Sequence, residues 1–155
     1  MKTTVTRLKT LLQEDATLSS YVKKVEIVSP KLLPDISNTM VPYIGIAPVN
    51  STETWIAQRK QSTMIVELYA VILLQQQENA IIGDSVKKGI LEIVEDIDTV
   101  VRGKFLSSSN VRYLSKPIEI TGIDYVTAGY GDNFYLLVAS ITLQCLKLFD
   151  ITLST

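Results

Sequence analysis

Histidine is absent from the 155 residues, and cysteine and tryptophan occur once each, as Cys145 and Trp55. The first absence removes the commonest general base and the commonest metal ligand of neutral-pH chemistry. A Ser-His-Asp or Cys-His relay therefore cannot be built, although Ser-Lys arrangements stay open. A single thiol can neither close a disulfide within the chain nor furnish a cysteine zinc site. A surplus of either charge is also missing. Fifteen Lys and Arg stand against sixteen Asp and Glu, a formal net charge of -1. No broad field draws the chain to nucleic acid or to an anionic lipid surface. No apolar run approaches the ~18 residues that a membrane span needs. The start, Met1 to Arg7, is polar and lacks the apolar core of a signal peptide. We expect no membrane partner, no sequence-specific nucleic-acid partner, and folding in a reducing cytoplasm.

What is present is an ordinary supply of core: 46% of residues are hydrophobic. The length fits one domain, residues 1–155, able to bury about two-thirds of its unfolded surface without a metal or disulfide staple. Val5, Leu8, Leu11 and Leu12 recur at helical spacing after Thr3 and Thr4, and Asp15 can cap a short second turn through Leu18 and Tyr21. Lys24 to Ser29 reads as a strand stopped by Pro30, and Pro30 to Thr39 as a loop. Val41 to Val49 reads as a strand whose prolines, Pro42 and Pro48, belong at an edge or at its ends. Asn50 to Gln61 reads as a polar loop, Thr63 to Leu74 as a long strand and Gln75 to Asn79 as a turn. Ile82, Val86, Ile90, Val94, Ile97 and Val101 form one apolar stripe, which predicts a single helix stopped near Gly103. Ser107 to Pro117 is mostly loop. Ile118 to Thr127 is a strand, Ala128 to Asn133 a turn, and Phe134 to Phe149 a final strand.

The fold class expected is α+β: a mainly antiparallel or mixed sheet of four to five strands with two helices packed on one face. The two long strands carry a further implication. Met64, Val66, Leu68, Ala70, Ile72 and Leu74 make one apolar face of the first, and Tyr135, Leu137, Ala139, Ile141, Leu143, Cys145 and Phe149 one face of the last. Their other faces stay half apolar. Two helices cover about one face of such a sheet, so the second face needs a partner subunit or a curled sheet. An unbroken last strand would run ~50 Å, which requires a bend or a projection beyond the core.

Each candidate for chemistry has a plainer reading. Cys145 lies on an apolar strand face and reads as core. Gly129 to Asn133 is glycine-rich but leads into a strand and lacks the Lys-Ser/Thr of a phosphate loop, so it reads as a turn. Glu92, Glu95, Asp96 and Asp98 read as the solvated side of a helix rather than a metal site. Glu67 and Asp124 sit on strands, and acid–base work by this pair would require them to approach one another. Trp55 with Gln58, Arg59 and Lys60 combines an aromatic anchor with planar and flexible donors, a composition suited to a protein interface. A tryptophan folded back onto its own core is the alternative.

The order of elements resembles the tail terminator, or tail completion (tail-to-head joining), proteins of long-tailed bacteriophages. The resemblance is carried by the helix with Leu8, Leu11 and Leu12, the Asp15-Ala-Thr-Leu18 turn, and the Val41-Pro-Tyr-Ile-Gly-Ile-Ala-Pro48 strand with its polar excursion. The Thr63 to Leu74 strand, the Ile82 to Val101 helix and the closing strand pair complete it. It covers nearly the whole chain as a pattern, without a diagnostic motif. It implies a non-enzymatic virion protein without cofactors, forming a ring of six that caps the tail tube below the head. The implied partners are further copies of itself, the tail tube protein and a head completion or connector protein. The implied locations are the head–tail junction of the virion and, during assembly, the host cytoplasm. A small carboxylate-dependent cytosolic enzyme using Glu67 and Asp124, or a cellular adaptor domain of similar fold, is the competing expectation.

Overall fold

A computed structural model describes residues 1–30, 35–37, 39–130 and 134–150. The elements, in chain order, are α1 (Lys2–Glu14), α2 (Ala16–Ser19), β1 (Lys24–Ile27), β2 (Tyr43–Ile56), β3 (Arg59–Leu73), α3 (Gln77–Ile82), α4 (Ile90–Val101), β4 (Glu119–Tyr130) and β5 (Phe134–Asp150). The five strands form one mixed sheet in the order β1-β2-β3-β5-β4. Only β1 and β2 are parallel; every other neighbouring pair is antiparallel. The α+β class with a mixed sheet is thus observed, with four helices among the described residues rather than two.

Alternation decides which side chains enter the main core. Ile44 and Ile46 of β2, every second residue from Met64 to Ile72 of β3, and every second residue from Leu137 to Cys145 of β5 share one buried cluster. Val5, Leu8 and Leu12 of α1, Leu18 of α2, and Ile90, Ile93, Val94, Ile97, Val100 and Val101 of α4 complete it. The cap expected at Asp15 is present: its Oδ1 accepts from the Thr17 and Leu18 amides at 3.0 and 2.9 Å, satisfying two otherwise unpaired donors of α2.

The opposite sheet face carries a second cluster. Tyr43, Ala47, Tyr69, Val71, Leu136 and Val138 are buried under Ile36, with Met40 and Val41 packed alongside. Described residues of the β1–β2 connection thus cover one end of this face, a cover that the expectation of a partner or a curled sheet did not include. Residues 31–34 and 38 of the loop expected over Pro30 to Thr39 lie outside the described residues.

Two expected elements are redrawn. The stripe from Ile82 to Val101 is not one helix. α3 ends at Ile82, and α4 begins at Ile90. Gly83 adopts φ +84°, a region that glycine enters without strain. Asp84 Oδ1 then accepts from the amides of Val86 and Lys87, both at 2.7 Å, turning the chain outward. Val86, a member of the expected stripe, is 86% exposed at the far side of this loop. The loop is pinched at its base. A Cβ on Gly89 would lie 2.2 Å from the Gly83 amide nitrogen and 2.5 Å from the Ile81 carbonyl oxygen. Gly89 has φ −80°, so its dihedral excludes nothing; the neighbouring backbone does. Backbone cannot swing aside as a side chain can, and Gly89→Ala should cost about 2–3 kcal/mol. Thermal unfolding measures this, and an unchanged midpoint would mean that the two ends of the loop separate freely.

The second correction concerns Asn50 to Gln61. It is no loop: β2 continues to Ile56, β3 starts at Arg59, and only Ala57 and Gln58 connect them. The run Thr52-Glu53-Thr54-Trp55-Ile56 has β-branched residues at alternate positions, as strands favour, and it is polar because solvent meets both of its faces. Pro48 sits beside a β-bulge between Pro48 and Asn50. β1 has already ended there, so that margin of β2 needs no proline amide. β5 runs unbroken from Phe134 to Asp150 and pairs with β3 as far as Arg59. The long last strand therefore projects together with the β2–β3 hairpin as a three-stranded arm. Of the turn expected over Ala128 to Asn133, residues 128–130 belong to β4, which runs to Tyr130. Gly131, Asp132 and Asn133 lie outside the described residues.

Candidate functional site

The arm brings the sequence-selected residues to its tip but divides them between two faces. Trp55 stands opposite Lys60, and Lys60 opposite Phe149, so these three form one cross-strand row. Ile56 and Arg59 form the next row, on the other face. Gln58 lies in the connecting turn. Ala57, the first turn residue, has φ 55°, a left-handed position that hairpin turns usually give to glycine or asparagine.

Lys60 is held in place from two sides. Its Nζ lies 2.7 Å from Glu53 Oε2 and 5.9 Å from the centroid of the Phe149 ring. Lys147, two residues along β5 on the same face, places its Nζ 5.3 Å from that ring and 3.6 Å from the Tyr113 ring. Arg7 of α1 reaches Tyr113 at 4.7 Å and donates to the Leu106 carbonyl at 2.6 Å. Exposed ion pairs contribute only about 0–1 kcal/mol, and exposed cation–π contacts about 0.5–1 kcal/mol. These contacts orient the surface more than they stabilise the fold. Trp55 itself is 68% exposed, with Ile56 and Phe149 also exposed. The alternative of a tryptophan buried in its own core is therefore corrected. Trp55 is thus a large aromatic held in solvent at the end of a paired arm.

Phe149, Lys147 and Tyr113 were not selected from the sequence. The alternation of Cys145, Lys147 and Phe149 along one strand face was visible there, but nothing showed that this face lines up with Trp55. Register alone supplies that link.

The other candidates resolve differently. Glu67 and Asp124 occupy the same sheet face, but β5 lies between their strands. Glu67 is opposite Thr142 and Asp124 opposite Ser140, two strand spacings or roughly 10 Å apart across the sheet. Glu67 instead accepts the Tyr69 hydroxyl. Of the helix carboxylates, Glu92 accepts from the Gly89 amide at 3.3 Å and Asp98 from Arg102 at 2.7 Å. Asp96 is the exception to a merely solvated side. Its Oδ2 accepts from the Tyr21 hydroxyl at 2.8 Å and from Lys88 Nζ at 2.7 Å. This trio lies beside a cleft of about 700 Å³ that includes Tyr21, Pro42, Leu73, Ala80, Val86 and Lys88. Burial and then the bond to Asp96 push the Tyr21 hydroxyl pKa up, and the same carboxylate pushes the Lys88 ammonium up. Both shifts move away from proton transfer near neutrality, and the trio ties the 83–89 loop to α4 and to the segment that follows α2. Cys145 is buried opposite Met64, and burial pushes its thiol up to about 12. No group of three or more acidic, cysteine or histidine side chains that could hold a metal ion occurs among the described residues, and no described helix is long and apolar enough to cross a membrane. Neither protein-family models nor curated proteins give a match to this chain.

Proposed function

We propose that the protein is a structural subunit of a bacteriophage tail, forming a ring that caps the tail tube and joins it to the head. The observation that carries this reading is the three-stranded arm with Trp55 at its tip. An arm paired along its length presents an anchor in a fixed position, which suits docking onto another assembled surface. The order of elements, with its resemblance to tail terminator proteins, supplies the biological setting. The carboxylate-enzyme alternative gains nothing from Glu67 and Asp124, which are separated by a full strand. On this reading the copies associate into a ring of six, the arm meets the tail tube protein or the head completion protein, and no cofactor takes part.

Sedimentation and light scattering across a wide concentration range, together with electron microscopy of assembled tails, test the ring. A ring is expected in concentrated solution or, where the tube end acts as template, at the tail end. A monomer at every concentration, with no ring on tails, would overturn the reading.

A further inference from the structure

β1 and β4 are the two edges of the sheet, and an edge strand presents unpaired amides and carbonyls to any chain that can reach them. β4 is long, and its edge protection is confined to a β-bulge between Ile120 and Gly122 and the two carboxylates Glu119 and Asp124. Over its twelve residues there is no lysine, arginine or proline. Ile123, Tyr125 and Val126 are all exposed. β1 lies beside a groove formed with α1 and α2, whose lining includes Lys9, Lys23, Lys24, Val25 and Glu26.

The two edges match in polarity, in charge and face by face. β1 is parallel to β2, and the three steps from β2 to β4 are each antiparallel. β4 therefore runs opposite to β1, and a second copy continuing the same sheet lays its β4 antiparallel to β1. On the face that carries the main core, β1 offers Val25 and Ile27, and β4 offers Ile123 and Tyr125. On the other face β1 offers Lys24, whose Nζ also pairs with Glu26 of the same strand, and β4 offers Asp124, which has no ion-pair partner among the described residues. The lining beside β1 has three lysines against one glutamate, whereas β4 has two carboxylates, Glu119 and Asp124, and no basic residue.

We propose that β4 of one copy adds to β1 of the next as an antiparallel strand, with Lys24 opposite Asp124, Val25 opposite Ile123 and Glu26 opposite Gly122. This register joins opposite charges, joins apolar side chains, and sets Glu26 against a glycine rather than a carboxylate. Because different surfaces meet, the contact is heterologous and propagates into a ring or a filament rather than stopping at a dimer. The inference rests on the ring reading above and names its interface.

The test compares the mass of wild-type assemblies, in solution and on tails, with those of four variants. Thermal melting first establishes that each variant is folded, which the exposure of these positions favours. Ile123→Lys should weaken association more than about tenfold by placing a charge on the open edge. Asp124→Lys and Lys24→Asp should each weaken it about fivefold, because like charges then stand opposite. The double variant Lys24→Asp, Asp124→Lys should associate more strongly than either single variant, since every interface then regains an opposite pair, although the new carboxylate at position 24 stands beside Glu26. Rings formed equally well by all single variants would overturn the edge contact and leave the ring standing. A species that stops at a dimer, weakened by Asp124→Lys and indifferent to Lys24→Asp, would mean β4 pairing with β4 and would also overturn it. Absence of any wild-type assembly, in solution and on tails, removes both the ring and its interface.

Discussion

Ile97→Asp should lose about 3–5 kcal/mol of stability, while Val86→Asp should remain within about 0.5 kcal/mol of wild type. The sequence places both residues on one apolar stripe, and the structure separates them. Ile97 is fully buried in α4, facing the cluster that also holds α1 and the sheet. An aspartate there forfeits the transfer free energy of the isoleucine side chain, about 1.5–3 kcal/mol, and must bury a carboxylate without a partner or bury it protonated. Protonation is the cheaper state, so the carboxyl pKa rises above its unfolded value and the deficit shrinks as the pH falls toward it. For a domain of typical stability, about 5–15 kcal/mol, this is a large fraction of the whole. Val86 stands in solvent on a loop held by Asp84, so a carboxylate at position 86 desolvates nothing. Chemical denaturation of the two variants measures the contrast. Similar losses in both would mean that the 83–89 segment packs as helix, and a wild-type-like Ile97→Asp would mean that α4 does not face the core.

That contrast shows where the sequence is informative. Periodicity reports burial only where one side of an element is wet and the other dry. α1 meets this condition, with Leu8 and Leu12 buried and Thr6, Thr10 and Gln13 exposed. So do the central parts of β3 and β5, whose alternate residues enter the main cluster. The β2–β3 arm has solvent on both sides, so its strands lose the inside–outside contrast and read as a polar loop. The break between α3 and α4 was hidden for another reason. A helix tolerates an isolated glycine at a cost of about 1 kcal/mol, and only the close crossing of Gly83 and Gly89 reveals why both are needed. The covering of the second sheet face by Ile36 and Met40 was equally illegible, since a loop residue carries no period to betray its burial.

The candidate site was legible in composition and illegible in arrangement. Trp55, Arg59 and Lys60 are residue types suited to an interface, and they stand at the end of the β2–β3 hairpin. Their distribution over two faces follows from the two-residue turn, which places position 55 against 60 and 56 against 59. The contribution of Phe149 comes from residues ninety positions distant, through a register that no local pattern encodes. The tip therefore presents two distinct surfaces: an aromatic row with Lys60 between its rings, and an aliphatic–guanidinium pair behind it.

A Trp55→Ala, Arg59→Ala double variant removes the principal side chain of each surface and, on the proposed tail function, should abolish the joining of tails to heads while leaving the subunit folded. The fold should survive because Trp55 and Arg59 are both exposed and neither belongs to a buried cluster. The β2–β3 pairing that supports them is made by backbone, which alanine retains. The functional loss should be large because anchors at an interface centre carry much of its energy, about 2 kcal/mol or more each, or roughly 30-fold in affinity per residue. In the proposed ring the effect multiplies, since every subunit would lose its anchor together and the avidity of several simultaneous contacts would be lost with them. Circular dichroism and thermal melting report the fold, and complementation of terminator-deficient tails with purified heads reports the joining. Trp55→Ala alone should show the greater part of the defect, as the larger and more exposed anchor. Normal joining by the folded double variant would take the arm's tip out of the interface and leave the joining contact to some other surface of the subunit.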